Sequence, residues 1–338
     1  MGVIDIPRTV TMDIPPPSMI YSFHANHVMK ISQPQKIIIV LGPTASGKSD
    51  LAVKIALYIK KQKNLGLFNT AIISADSRQV YKGFNIGSGK ITSQEMRGIP
   101  HYALDIASPQ RRFTVSQYQQ YVKKILKKLI KQKTFPILCG GTGLYIDSVL
   151  YNYILPHVKP NLVLRMQLEK LTTEKLFLML TKKDSVRAQT IDRHNRRRLI
   201  RALEILHEQK TIPPLEKTAT FNALIIGINP TQSTLYKRIH VRLLKRLRGG
   251  MITEVKQLHA KGLSYARLES FGLEYRYIAQ FLQKKLSKKE MEELLEKEIQ
   301  HYTKRQMTWF KKNKDITWIE KPDLTKTLQN NILTFLRM

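Results

Sequence analysis

Residues 36–49, KIIIVLGPTASGKS, constrain the fold more than any other stretch of this 338-residue chain. A β-branched apolar run ends in glycine. The loop after it fits G-x-x-x-x-G-K-[ST] throughout, from Gly42 through Pro43, Thr44, Ala45, Ser46, Gly47 and Lys48 to Ser49. The helical pattern that follows, Lys48 to about Lys61, carries Leu51, Ile55 and Ile59 on one stripe. In such a strand–loop–helix unit the backbone N–H groups of the loop and first helical turn point inward at phosphate oxygens. Lys48 adds positive charge, and the Ser49 hydroxyl is placed to ligate Mg²⁺. The motif reads a diphosphate and says little about what hangs from it.

The β-loop-α alternation continues. TAIISADS (70–77) reads as a second strand ending at polar residues, and SQYQQYVKKILKKLIKQK (116–133) as an amphipathic helix capped by Ser116. FPILCGGTGLY (135–145) is a buried strand running into a turn where Gly140, Gly141 and Gly143 permit close backbone approach. From about 155 to 216 helices dominate, and ALIIGINP (223–230) returns to a buried strand. A long helix is expected from about Ser287, with Trp309 packing it onto the sheet, before a last strand in DITWIE (315–320). The fold class is therefore α/β: a P-loop NTPase-like parallel sheet flanked by helices, with a helical insertion domain. Residues 36–154 and 217–338 form the core in this reading, 155–216 the insertion, and 1–35 a poorly ordered N-terminal extension.

Charge narrows the partners. The chain holds 57 Lys and Arg against 25 Asp and Glu, a formal net charge of +32, which makes a polyanion the first ligand class to consider. Residues 182–250 concentrate the excess, and DRHNRRRLIRALE supplies guanidinium forks suited to phosphate. Arg198 and Arg201 are three apart on one helix face, yet Arg201 and Glu204 share that spacing, so an ion pair competes with phosphate contact. Arg238, Arg242 and Arg246 make a second basic stripe at four-residue intervals. Cys139 is the sole cysteine, which excludes an internal disulfide and fits a reducing compartment. No apolar run approaches the roughly 20 residues that span a bilayer, and the start lacks the pattern of a secretory signal or mitochondrial presequence. A cytoplasmic location is expected. The nine histidines form no metal-binding spacing.

Asp76 falls just past the second strand, where a parallel sheet brings it near the phosphate loop. Two roles stay open from its position: a carboxylate holding Mg²⁺, or a general base taking a proton from an incoming nucleophile. Gln79 and Tyr81 add a base-reading amide and a stacking ring.

The segments GPTASGKSDLA, ISADSRQVYKGFNIGSGK, HYALDIASP, FPILCGGTGLYIDSVL, RRRLIRALEI and KRQMTWFKK occur in that order, and together they resemble the tRNA dimethylallyltransferase (tRNA isopentenyltransferase) family from about Lys36 to Trp318. The resemblance implies that the loop holds dimethylallyl diphosphate, with Mg²⁺, and that the five-carbon group passes to N6 of adenosine 37 of tRNA. It implies Asp76 as the base, Thr44 facing the reacting diphosphate, and Arg242 gripping it beside Lys48. Ser77, Arg78 and Gln79 would hold a base flipped from the anticodon stem-loop, while Thr142, Arg165, Arg197, Arg198 and Arg201 would contact tRNA. Leu273 departs from the family's tyrosine, which puts a hydroxyl contact there in doubt. Zinc-finger cysteines found in eukaryotic relatives are absent, so the grip on tRNA is expected from arginine and lysine. The same reading expects a monomer and no membrane association. Two enzymatic alternatives share the phosphate loop: an isopentenyltransferase acting on free AMP or ADP, and a small-molecule P-loop kinase. A non-catalytic RNA-binding protein is a third, but it would leave the loop and Asp76 without a purpose.

Overall fold

The computed structural model describes residues 35–62, 69–156, 158–209, 211–212 and 220–338. The extension expected over 1–35 lies, except for Gln35, outside the described residues.

In chain order the first half runs β1 (Gln35–Leu41), α1 (Lys48–Lys60), β2 (Asn69–Ala75), α2 (Ser93–Met96), β3 (His101–Tyr102), α3 (Val115–Lys131), β4 (Thr134–Gly140) and α4 (Gly143–Leu150). Four helices follow, α5 (Leu162–Glu169), α6 (Thr173–Lys183), α7 (Ser185–Thr190) and α8 (Arg196–Glu208), and then β5 (Phe221–Ile228). The remainder is α9 (Gln232–Arg248), α10 (Met251–Ala260), α11 (Tyr265–Ser270), α12 (Leu273–Leu282), α13 (Lys288–Phe310), β6 (Ile316–Ile319) and α14 (Lys326–Arg337).

One six-stranded sheet has the order β3-β2-β4-β1-β5-β6. β1 pairs in parallel with β4, Ile38 opposite Ile137 and Leu41 opposite Gly140, and β2 pairs in parallel with the other edge of β4. Alternation along β1 explains why so apolar a strand is needed. Ile37, Ile39 and Leu41 enter the core on one face of the sheet, while Ile38 and Val40 join Leu51, Ile55 and Ile59 of α1 on the other. Both faces are covered, as parallel sheets require. The chain leaves β1 toward β4, β2 and β3 and later adds β5 and β6 on the opposite side. Beside β1 lies the crevice where such sheets bind ligands.

Helices α5–α8 pack around their own apolar cluster, in which Leu176, Leu180 and Leu199 are fully buried. Glu204 of α8 is buried too, and it accepts from Arg165 Nε (2.6 Å) and Nη2 (2.7 Å), Arg201 Nη1 (3.2 Å) and the Asn161 N–H (3.0 Å). A buried carboxylate is tolerable only when so fully paired.

One local expectation is corrected. Thr114, not Ser116, caps α3: its hydroxyl accepts from the Gln117 N–H (3.2 Å) while the Gln117 side chain accepts from the Thr114 N–H (2.9 Å), a capping box that a T-x-x-Q spacing satisfies and Ser116 does not. Trp309 packs against the core cluster on this face of the sheet and also against α4. Its Nε1–H donates to Asp147 Oδ2 (2.9 Å), and its ring occupies the space a side chain at Gly143 would need.

Candidate functional site

The phosphate loop turns out of β1 and into α1 through Gly47, whose φ of 93° would strain any side-chain-bearing residue. Lys48 Nζ lies back over the loop, donating to the Pro43 carbonyl (3.2 Å), and Arg238 Nη1 reaches the Ser46 carbonyl (3.3 Å). Burial lowers the pKa of Lys48, with Arg242 and Arg246 adding to the effect and Asp76 opposing it. The pull of those two arginines shows that several cations converge on one point.

Asp76 leaves β2 at its carboxyl end. Oδ1 accepts from the N–H groups of Arg78 (2.8 Å) and Gln79 (3.2 Å), which fixes the turn, and Oδ2 has no hydrogen-bond partner among the described residues. The Ser77 N–H donates to Thr142 Oγ1 (3.1 Å), tying this turn to the glycine turn after β4. That second turn is filled by the protein itself: side chains at Gly140, Gly141 or Gly143 would strike the Ala75 carbonyl, the Gln306 amide or the Trp309 ring.

A cavity of about 520 Å³ opens between these loops. Thr44, Lys48, Ser49, Asp76 and Gln79 line it from the sheet side, Arg242 and Arg246 from α9, and Ile72, Ile91 and Leu104 supply an apolar portion. Burial first, and then the charge of Arg246, lowers Arg242 to about 10, so two guanidiniums crowd one wall. Arg246 is held by Glu274 Oε1 (3.3 Å), and its guanidinium presses on Gly89, where a side chain would collide with it. Cations concentrated on one wall with a free carboxylate oxygen on another make a place for an anion next to a group that accepts a proton.

The oxygen donors fit a hard divalent ion. Ser49, Thr44 and Asp76 line one cavity, and no cluster of three or more His, Cys, Asp or Glu occurs among the described residues. Mg²⁺ needs no such cluster, because it keeps water and substrate phosphates as ligands.

The remaining residues singled out in the sequence sit elsewhere or are already engaged. Gln79 accepts from the Ser74 hydroxyl (3.1 Å) and donates to the Gly89 carbonyl (3.2 Å), so its amide braces the cavity rim. Arg78 folds back, Nη1 donating to the Ser77 carbonyl (3.3 Å). Arg165, Arg197, Arg198 and Arg201 lie on the helices α5 and α8 and do not line the cavity; Arg165 and Arg201 are committed to Glu204, while Arg197 and Arg198 are exposed. Tyr145 is a core residue stacked on Tyr118 at 3.9 Å between centroids. His101 donates from Nδ1–H to the Ile99 carbonyl (2.8 Å), just ahead of β3.

Sequence reading overlooked three residues. Gln306 of α13 accepts from the Thr44 N–H (2.9 Å) and donates to the Gly141 carbonyl (2.8 Å), bridging the two glycine loops. Glu254 of α10 accepts from three consecutive N–H groups, those of Asn85, Ile86 and Gly87. Glu274 anchors Arg246. Each acts across more than two dozen residues of sequence, so no local pattern marks it; for Gln306 the only signal is its place in KRQMTWFKK.

The family model of IPP transferase matches residues 79–313. The chain belongs to the IPP transferase family. As an IPP transferase it is 39% identical over 316 residues to tRNA dimethylallyltransferase 1 of Syntrophus aciditrophicus, covering 88% of this chain and 99% of that relative. It also resembles the crystal structure of the full-length tRNA isopentenylpyrophosphate transferase of Bacillus halodurans (TM-score 0.66, 30% identity, 90% of this chain and 97% of that one). The fold extends to a eukaryotic dimethylallyltransferase at TM-score 0.72 and 22% identity, covering 89% of this chain and 77% of that one. No helix among the described residues of this IPP transferase is long and apolar enough to cross a membrane.

Proposed function

We propose that this protein transfers the dimethylallyl group of dimethylallyl diphosphate to N6 of adenosine 37 in tRNA, releasing diphosphate. The observation that carries the reading is the single cavity in which the phosphate loop, the Arg242–Arg246 wall and the free Oδ2 of Asp76 meet an apolar portion. An allylic diphosphate needs these surroundings: cations for its head, aliphatic walls at Ile72, Ile91 and Leu104 for its tail, and a base for the amine that attacks it.

In the reaction the N6 lone pair forms a bond to C1 of the dimethylallyl group as the C1–O bond to diphosphate breaks. The N6 proton passes to Asp76 Oδ2. Negative charge accumulates on the leaving diphosphate, where Lys48, Arg242 and Arg246 already stand, so little reorganisation is needed as the bond breaks. Mg²⁺ held by the Ser49 hydroxyl and diphosphate oxygens would add Lewis-acid stabilisation of the same leaving group. Thr44, with its N–H fixed by Gln306, lines the cavity beside that charge. The adenine must leave the anticodon-loop stack to enter. Gln79, with its amide held by Ser74 and Gly89, shapes the entrance, and Ser77 and Arg78 form the turn against which the base would rest.

The helical block 155–216 fits the role of a tRNA-binding insertion into a core formed by 36–154 and 217–338, with Arg197 and Arg198 exposed for phosphate contact. Arg165 and Arg201 serve it by holding Glu204, which keeps α5 and α8 together. A monomer in the cytoplasm is the setting this reading assigns, consistent with one buried cysteine.

Labelled dimethylallyl diphosphate with Mg²⁺ and unmodified tRNA tests the proposal directly. Label is expected on tRNA and not on AMP; transfer to AMP alone would favour the free-nucleotide alternative, and phosphate transfer from ATP the kinase. A tRNA carrying guanosine at position 37 is expected to accept no label, because guanine offers O6 where adenine offers the amine. Continued labelling of that tRNA at position 37 would refute attack by N6. Arg198→Ala is expected to flatten the salt dependence of tRNA binding, since each lost phosphate contact releases fewer counterions. An unaltered slope would place Arg198 off the RNA.

A further inference from the structure

The three aliphatic residues of the cavity wall are not equivalent. Ile72 belongs to the core cluster on the α1 face of the sheet, and Ile91 packs against that cluster, so the fold needs both whether or not a ligand binds. Leu104 also lines the cavity, yet it is half-buried and joins none of the three apolar clusters of the described residues. An apolar side chain left out of the core and set in the wall of a cavity completes its burial against whatever fills that cavity.

The backbone that presents Leu104 is strained on both sides. Ala103 (φ 63°) and Asp105 (φ 54°) are left-handed, a conformation that residues with a side chain rarely adopt. Two such residues around one leucine persist only where the surroundings fix them. Here they do. The Ile106 N–H donates to the Val80 carbonyl (2.8 Å). Lys90, whose side chain is buried, donates from Nζ to Asp105 Oδ1 (2.6 Å), Asn85 Oδ1 (2.9 Å) and the Tyr81 carbonyl (3.3 Å). The same turn reaches the reacting end of the cavity through Gln79. That residue donates its N–H to Asp76 Oδ1 and accepts at its carbonyl from the Asp105 N–H (3.1 Å). Leu104 thus follows the carboxyl end of β3 as Asp76 follows that of β2, in two strands that pair in parallel with His101 opposite Ile72.

We propose that Leu104 is the specificity-determining residue for donor size: held in its strained turn, it meets the far end of the prenyl tail and limits the allylic diphosphate to five carbons. The inference rests on the allylic donor of the reading above and adds which side chain measures the tail. A leucine on a backbone fixed at both flanks does not move aside for a longer chain, so extra carbons meet a wall. For a tail of the right length the same contact is favourable, because it removes apolar surface of both partners from water. Discrimination of this kind is worth roughly 10- to 200-fold per methylene in a rigid apolar pocket.

The test is binding, measured with Mg²⁺ and without tRNA, of inorganic diphosphate, dimethylallyl diphosphate and the ten-carbon geranyl diphosphate. Wild type is expected to hold the five-carbon donor more tightly than the other two. Leu104→Ala is expected to raise the Kd of dimethylallyl diphosphate roughly tenfold, the worth of one or two buried methylenes, and to lower that of geranyl diphosphate. Affinity for inorganic diphosphate should stay at the wild-type value, because Leu104 meets the tail and not the head. Leu104→Met keeps the apolar volume and should keep the five-carbon preference. Ile130→Ala, an exposed apolar residue of α3 outside the cavity, is the control, and thermal melts confirm that each variant folds. An alanine variant with the wild-type ratio of ten-carbon to five-carbon Kd, or one that loses inorganic diphosphate equally, overturns the role of Leu104. A wild-type protein that binds dimethylallyl diphosphate no more tightly than inorganic diphosphate would instead sink the proposed donor itself, so the two failures are told apart.

Discussion

Asp76→Asn lowers single-turnover prenyl transfer by roughly two to four orders of magnitude, the range a positioned general base contributes, while tRNA affinity stays near wild type. The asymmetry of the carboxylate carries the expectation. Oδ1 does structural work, accepting from the N–H groups of Arg78 and Gln79, and an asparagine carbonyl does the same. The turn and everything bound to it, including the Ser77–Thr142 contact, therefore survive. Oδ2 is replaced by an NH₂ group, which donates hydrogen bonds and accepts no proton. An amine whose lone pair is delocalised into a purine ring then attacks without anywhere to send its proton. Asp76→Ala is a weaker experiment, because it also uncaps the turn and mixes a folding loss with a chemical one. Should the asparagine variant turn over at the wild-type rate under single-turnover conditions, Asp76 is a turn-capping residue only.

Much of this architecture was legible because it is written locally. A strand, a loop with two glycines and a lysine, and a helix announce themselves within fourteen residues, and a continuous β-branched apolar run marks β1 as a buried strand. Asp76 was legible for the same reason, since it follows the carboxyl end of a strand in the same parallel sheet as the strand that carries the phosphate loop. What escaped is what the chain assembles at long range. Gln306 stands 262 residues from the Thr44 amide it fixes, and nothing in a helix pattern distinguishes a glutamine that faces a loop from one that faces water. Arg201 and Glu204 show the limit from the other side. Their spacing correctly admitted an ion pair, but only the fold reveals that Arg165 joins them and that the carboxylate is fully buried. Gln79 illustrates a third case: an amide that suits an adenine edge also suits a serine hydroxyl and a backbone carbonyl, and the fold supplies both.

Glu254 is where that long-range assembly makes its sharpest prediction. Its two oxygens accept from the N–H groups of Asn85 (3.0 Å), Ile86 (2.6 Å) and Gly87 (3.0 Å) and from the Tyr275 hydroxyl (3.1 Å), and all four partners are donors. The loop so anchored carries Ser88 and Gly89 to the cavity, where the Gly89 carbonyl holds Gln79 and its Cα accommodates Arg246. Glu254→Ala strips the acceptor from four donors in a largely buried setting and is expected to cost roughly 3–5 kcal/mol of stability. Glu254→Gln discriminates better, because it preserves volume and shape. A glutamine offers one acceptor and turns an NH₂ group toward N–H donors, so the near-isosteric change should still lose much of that stability and release the cavity rim. Turnover should fall together with affinity for dimethylallyl diphosphate, since Arg246 loses the surface it rests on, while the salt slope of tRNA binding stays unchanged. A Glu254→Gln protein that melts within about half a kcal/mol of wild type and keeps its affinity for the donor would show that the loop holds its shape without the carboxylate.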